Sequence, residues 1–214
     1  HGFRGNSAMN YIAIDFETAA CRMDSACALG LVKFDPEGEI LSSWYSLVRP
    51  PVLQFDDVCT AVHHLSPIDI SRSPTMKDLW PDIESFIGDE ALVAHNAQFD
   101  MNVLRHTLAA WGITVPRYRY YCTLSLSRKL WKGRRSYKLT SLAEDLGWEY
   151  DAHNALSDAE VCGKLFSRLC GEVLFDDAIA ERFFSRIYKK GEKHRFPETL
   201  VPPSVSHQGE GSLF

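Results

Sequence analysis

Asp15 and Glu17 stand two residues apart at the end of an otherwise apolar run, Asn10-Tyr-Ile-Ala-Ile-Asp-Phe16. Side chains two apart on a strand point to one face, so this spacing aims both carboxylates at one spot. Like charges gathered in that way are costly unless a cation neutralises them, and the chemistry open to them is metal binding. Taken alone, Asp-x-Glu is equally the signature of a solvated strand end. Two further segments supply company. In His95-Asn-Ala-Gln-Phe-Asp100 a short apolar strand runs into a helix, and Asp100 falls in the first helical turn. An acid there also complements the helix dipole, but a third carboxylate beside a neighbouring strand end makes metal binding the better account. His153-Asn-Ala-Leu-Ser-Asp158 enters a long helix, bringing Asp158 to the same site and leaving His153 on the preceding loop, over the substrate.

The elements that must position these groups follow from periodicity and punctuation. Asn10–Phe16 reads as a buried strand. Ala28–Phe34 and Glu39–Val48 read as a hairpin about the turn Asp35-Pro-Glu-Gly38. A loop with a short helix precedes Ser66-Pro67, and Thr75–Ile87 carries apolar residues at helical spacing behind Pro74. Ala91–Ala94 is a short strand, Gln98–Trp111 a helix closed by Gly112, and Tyr118–Tyr121 another short strand. Helices are expected over Thr123–Trp131, Leu139–Leu146, Ala155–Leu174 and Asp177–Tyr188, with an extended or disordered tail over 191–214. A hairpin followed by alternating strands and helices implies an α/β sandwich around a mixed sheet, with the later strands parallel to the first.

The opening residues 1–8 lack an apolar h-region and helical periodicity and read as a cloning remnant before a natural start at Met9. One domain, residues 9–190, accounts for most of the 214 residues. No run approaches the roughly 20 apolar residues of a membrane span. Cysteines 21, 27, 59, 122, 162 and 170 show no Cys-x-x-Cys pair and no zinc-finger spacing, so they read as reduced, mostly buried thiols of a cytoplasmic protein. A net charge of −5 excludes a protein that coats nucleic acid by charge alone. It leaves room for an enzyme working on a strand end, because bound cations cancel carboxylates. Basic residues do cluster, over 117–138 and again over 182–195.

Asp15-Phe-Glu17-Thr18, His95-Asn-Ala-Gln-Phe-Asp100 and His153-Asn-Ala-Leu-Ser-Asp158 resemble, in order and spacing, the three motifs of the DEDDh 3′→5′ exonucleases. That family includes the proofreading epsilon subunit of bacterial DNA polymerase III, ribonuclease T and oligoribonuclease. The five-residue step from His153 to Asp158 matches the histidine branch. Val62-His-His-Leu-Ser66 is similar to the family's V-H-G-I-T/S segment, with His64 in place of the glycine. Cys122-Thr-Leu124 is similar to its D-T-L segment, with Cys in place of the acid.

The resemblance implies a ribonuclease H-like α/β fold: a mixed five-stranded sheet flanked by helices. It implies two divalent ions held by Asp15, Glu17, Asp100 and Asp158. Oxygen donors favour Mg²⁺ or Mn²⁺ over zinc. His153 would act as general base. Phe16, Thr18, His63, Asn96 and Phe99 would contact the terminal nucleotide. The expected activity is release of nucleoside 5′-monophosphates from DNA 3′ ends, single-stranded or frayed, in proofreading or repair. An RNA-trimming exonuclease would share this core, since 2′-OH recognition lies in loop geometry. A non-catalytic module binding a polymerase or clamp fits poorly with a full set of carboxylates and His153. The ending Gln208-Gly-Glu-Gly-Ser-Leu-Phe214 is partly similar to a sliding-clamp binding peptide. Its glutamine stands too far from Leu213 and Phe214, so an unstructured terminus is the first reading of it.

Overall fold

The computed structural model of the chain describes residues 10–174. The expected helix at 177–188, the tail with its clamp-like ending, the second basic group and the opening segment lie outside the described residues. Five strands form one sheet: β1 (Tyr11–Thr18), β2 (Ala26–Phe34), β3 (Ile40–Leu47), β4 (Ala91–Ala94) and β5 (Tyr120–Cys122), in the order β3-β2-β1-β4-β5. β1 pairs antiparallel with β2 and parallel with β4, while β2–β3 is antiparallel and β4–β5 parallel. The sheet is therefore mixed, as expected.

The helices are α1 (Asp57–His63), α2 (Pro67–Arg72), α3 (Met76–Ile87), α4 (Ala97–Ala110), α5 (Thr123–Leu130), α6 (Leu139–Asp145) and α7 (Ala155–Leu174). The sequence reading missed α2, although Ser66 caps its N-terminus and Pro67 occupies its first turn. Thr75 is the cap of α3, in a reciprocal capping box with Asp78, and not its first residue. The last strand begins at Tyr120, two residues later than expected, and runs through Cys122. No helix among the described residues is long and apolar enough to cross a membrane.

Alternation along β1 sorts its side chains. Ile12, Ile14 and Phe16 face one way, into a core with Met76, Trp80 and Ile83 of α3 and Met101 and Leu104 of α4. Tyr11 and Ala13 face the other way, into a core with Leu126, Leu142, Leu165 and Phe166. Asp15 and Glu17 continue that second row, so they emerge where the apolar floor under α7 runs out.

α7 crosses the sheet closely, and glycines permit the approach at two points. A Cβ on Gly30 of β2 would sit 2.3 Å from the Ala155 carbonyl oxygen and 2.5 Å from the Leu156 nitrogen. A Cβ on Gly163 of α7 would sit 2.0 Å from the Phe34 ring. Tyr11 ties the same layer together. Its ring stacks on Phe34 at 5.1 Å, and its hydroxyl donates to the Gly163 carbonyl at 3.0 Å. Gly30 is also the register partner of Asp15. The glycine that lets the start of α7 settle thus lies directly beside the first carboxylate.

Gly30→Ala should therefore cost about 1–3 kcal/mol by overpacking against rigid backbone. Because it pushes away the helix turn that carries Asp158, it should also weaken Mn²⁺ binding. Chemical denaturation and a Mn²⁺ titration by electron paramagnetic resonance measure the two effects.

Candidate metal centre and nucleotide cleft

Three chain segments meet at the carboxylate end of β1. Asp15, Glu17 and Asp158 present carboxylate oxygens within 4.8 Å of one another. A register shift between Glu17 and Thr18, where β1 pairs with β2, bends the strand at this point. Asp158 rides in the first turn of α7, whose start is fixed by Asn154. The Asn154 side-chain oxygen accepts from the Leu156 and Ser157 N–H groups at 3.2 and 3.3 Å, and its carbonyl accepts from Asp158 at 2.8 Å. Asp100, buried in the first turn of α4, lies outside the tight trio but is anchored to β1: its Oδ1 accepts from the Phe16 N–H at 3.1 Å.

Electrostatics mark the cluster as incomplete without a cation. Burial, and then the charges of Asp100, Asp158 and Glu17, push the Asp15 carboxyl well above the usual carboxylate range. Burial does the same to Asp100, against the pull of the Phe16 N–H, and raises Asp158 as well. Glu17 is pushed up to about 8, by burial first and by Asp158 second. The ion pairs among the described residues, such as Arg22–Asp24 and Arg134–Asp145, leave all four out. A hard divalent cation fits this all-oxygen donor set. Tyr150 adds a group the sequence reading overlooked. Its buried hydroxyl lies beside Asp158, and burial first, then the Asp158 charge, raises its pKa.

Beside the carboxylates runs a cleft lined by Glu17, Tyr45, His63, His64, His153 and Asn154, among others. His153 is exposed on the loop before α7, in a left-handed conformation with φ 64°. His63 is only 6% exposed. Its Nδ1 accepts from the Leu65 N–H at 3.0 Å, which leaves the proton on Nε2, 3.7 Å from the Cys27 sulfur. Burial lowers its pKa, so the ring is neutral. His64 closes α1 with φ 57°, adopting the left-handed conformation for which the family uses glycine.

Phe16 requires a correction. Its ring is 3% exposed and packs in the α3–α4 core, so the side-chain contact with a nucleotide expected from sequence is not available. Asn96 is exposed with φ 68° at the entry to α4, and Phe99 is half-buried against the same core. His95 is a strut: its Nδ1 meets the Thr123 hydroxyl and its Nε2 meets the Tyr137 carbonyl, each at 2.8 Å. Burial holds its pKa down at about 4, so it remains neutral.

Known proteins are similar to this chain along most of its described length. The exonuclease family model RNase_T matches residues 12–166. The DNA polymerase III subunit epsilon of Aquifex aeolicus is 24% identical over 183 residues, covering 85% of this chain and 91% of its own length. The Treponema pallidum subunit epsilon is 29% identical over 164 residues, covering 74% of this chain and 75% of its own. The PolC-type DNA polymerase III of Thermotoga maritima is 30% identical over 162 residues, but the match spans only 12% of that polymerase. Among solved structures, the nuclease domain of 3′hExo, a DEDDh family member bound to rAMP, superposes with a TM-score of 0.67 at 19% identity. That match covers 79% of this chain and 95% of the other.

The repulsion within the cluster is itself measurable. Glu17 holds its proton more tightly when folded than at its ordinary value of 4.5, so its contribution to stability is complete below that value and is lost as pH rises through about 8. In chelator the melting temperature should fall across this window, and Mg²⁺ or Mn²⁺ should restore it. Asp15→Asn removes one buried charge. At the alkaline end it should melt above the wild type in chelator, by about 2–4 °C per kcal/mol of repulsion relieved, and below it in saturating Mn²⁺. Differential scanning calorimetry with and without metal reads both.

Proposed function

The chain belongs to the DEDDh 3′→5′ exonuclease family, and from that premise we propose that it trims DNA from the 3′ end with two ions, Mg²⁺ or Mn²⁺, held by Asp15, Glu17, Asp100 and Asp158. The observation that carries this reading is the convergence of the Asp15, Glu17 and Asp158 oxygens within 4.8 Å, with Asp100 anchored to the same strand by the Phe16 N–H. Divalent ions bound there would stabilise charge on the scissile phosphate and lower the pKa of the attacking water.

The remaining steps belong to the chain's own residues. His153, exposed at the cleft, accepts the proton of the attacking water as the new O–P bond forms and the bond from phosphorus to the 3′ oxygen breaks. A nucleoside 5′-monophosphate leaves, and the shortened strand keeps a 3′ hydroxyl. Asp100 holds the end of β1 through the Phe16 N–H, so the ligands stay in place through turnover. Thr18, His63, Asn96 and Phe99 are assigned to the terminal nucleotide, with Phe16 contributing through its main chain alone.

DNA is favoured over RNA because the sequence relatives are replicative DNA polymerase subunits and PolC-type polymerases. The same likeness supports a proofreading or repair role in the cytoplasm, beside a polymerase. The rAMP-bound neighbour makes RNA the competing outcome of the assay.

End-labelled single-stranded DNA and RNA of equal length, incubated with Mg²⁺, with Mn²⁺ and with chelator, test the reading. The expected result is stepwise shortening of DNA from its 3′ end, release of nucleoside 5′-monophosphates, and no reaction in chelator. Asp15→Ala and Asp158→Ala should lose about 10²–10⁴-fold in rate, equivalent to roughly 3–5 kcal/mol, while remaining folded. His153→Ala should lose about 10²–10⁴-fold with Mn²⁺ affinity unchanged. Wild-type turnover by either aspartate variant in excess metal overturns the assignment.

A further inference from the structure

A second cluster of ligand atoms lies on the far side of Thr18. Cys21, on the segment after β1, Asp56, just before α1, and Cys59, inside α1, place two sulfurs and a carboxylate oxygen within 4.8 Å of one another. Cys21 stands 38 residues before Cys59, and no cysteine spacing announces the group. The sulfurs are 3.9 Å apart. Two thiolates on a tetrahedral zinc-class ion, with bonds of about 2.3 Å, are separated by roughly 3.8 Å. A disulfide requires about 2.05 Å, so the observed separation matches the edge of a coordination tetrahedron.

The third member fits the same conclusion. Asp56 Oδ2 accepts from the Cys21 N–H at 2.7 Å and Oδ1 from the Gln54 amide at 3.0 Å. A carboxylate against two thiols is wrong for a redox pair, whose attacking thiolate needs positive surroundings, and right for a cation. The nearest sequence cation, Arg22, is committed to Asp24 at 2.7 Å. Cys21 is exposed, which leaves a fourth coordination position open to water.

We propose that Cys21, Asp56 and Cys59 form a binding site for a thiophilic divalent ion of the zinc class, separate from the carboxylate centre. The ion pins the segment leaving β1 to the start of α1, a joint also made by the Asp56 N–H donating to the Ala19 carbonyl at 2.8 Å and by the Cys21 N–H donating to Asp56 Oδ2 at 2.7 Å. Since β1 carries Glu17 and α1 ends at His63, the clamp fixes the spacing of two groups lining the cleft. Its ligands differ in kind from those of the nuclease centre, so the two sites sort soft and hard cations between them.

Cobalt is the probe. Co²⁺ titrated into the reduced full-length protein, with Mg²⁺ saturating the carboxylates, should give one equivalent of a near-ultraviolet thiolate-to-cobalt band, which an all-oxygen site cannot produce. Zn²⁺ should displace it and raise the melting temperature. Cys21→Ser, an exposed change that spares the fold, should lose the band and the Zn²⁺-dependent rise, as should Cys59→Ser. Asp56→Asn should bind at least about tenfold more weakly. Absence of the band in the intact protein, or its survival in Cys21→Ser, overturns the proposal. So does a protein that takes up no cobalt when reduced yet loses two hydrogens to a Cys21–Cys59 disulfide on peroxide treatment.

Discussion

The approach of α7 to the sheet governs the rest of the molecule. A helix ordinarily keeps its distance from a sheet because side chains on both surfaces hold them apart. Here Gly30 removes the side chain on the strand and Gly163 removes it on the helix. Tyr11, stacked on Phe34 and bonded to the Gly163 carbonyl, fills the layer between those two points. The first turn of α7 consequently settles beside β1 and β2, close enough for Asp158 to join Asp15 and Glu17. A helix held farther away would carry the same residues and leave Asp158 apart from the Asp15–Glu17 pair.

That closeness brings an electrostatic cost which the apolar layers must offset. Each carboxylate is partly or fully removed from water, and Asp15, Glu17 and Asp100 also feel neighbouring carboxylates, so the metal-free cluster stores repulsion. Two rigid cores hold the acids in place against it, one on each side of the sheet. The polar fixings add direction: Asn154 caps α7, and the Phe16 N–H steers Asp100. The site is therefore shaped before any ion arrives, and binding energy need not be spent on assembling it.

Much of this could be read from the chain before any coordinates. The apolar runs and their punctuation gave the sheet and most helices, and the spacing of Asp15 and Glu17 gave their common face. The same alternation already implied that Phe16, lying between them, points the opposite way; the family likeness had suggested otherwise, and the burial of its ring follows the alternation. Gly30, in the middle of an apolar strand, was a legible sign of close backbone approach. Other features were not legible, because they depend on which distant segments become neighbours. Tyr150 beside Asp158, and Cys21 beside Cys59, have no local pattern to betray them. Helix α2 is a different case, since Ser66-Pro67 carried the signal for a helix start but the run behind it is too short to show a period.

Asp100 hangs from the Phe16 main chain, and Asp158 arrives on the last described helix. The proposed cutting centre thus draws on residues from Asp15 to Asp158, most of the described chain, and a piece that lacks either end of that span cannot assemble it. A polypeptide still emerging from the ribosome holds Asp15 and Glu17 long before Asp158 has been made, and through that interval the proposed site lacks one of its ligands. Damage acts in the same direction: a copy whose α7 has come loose takes Asp158 away from the proposed site. For a nuclease, failure by silence is thereby built into the order of the chain.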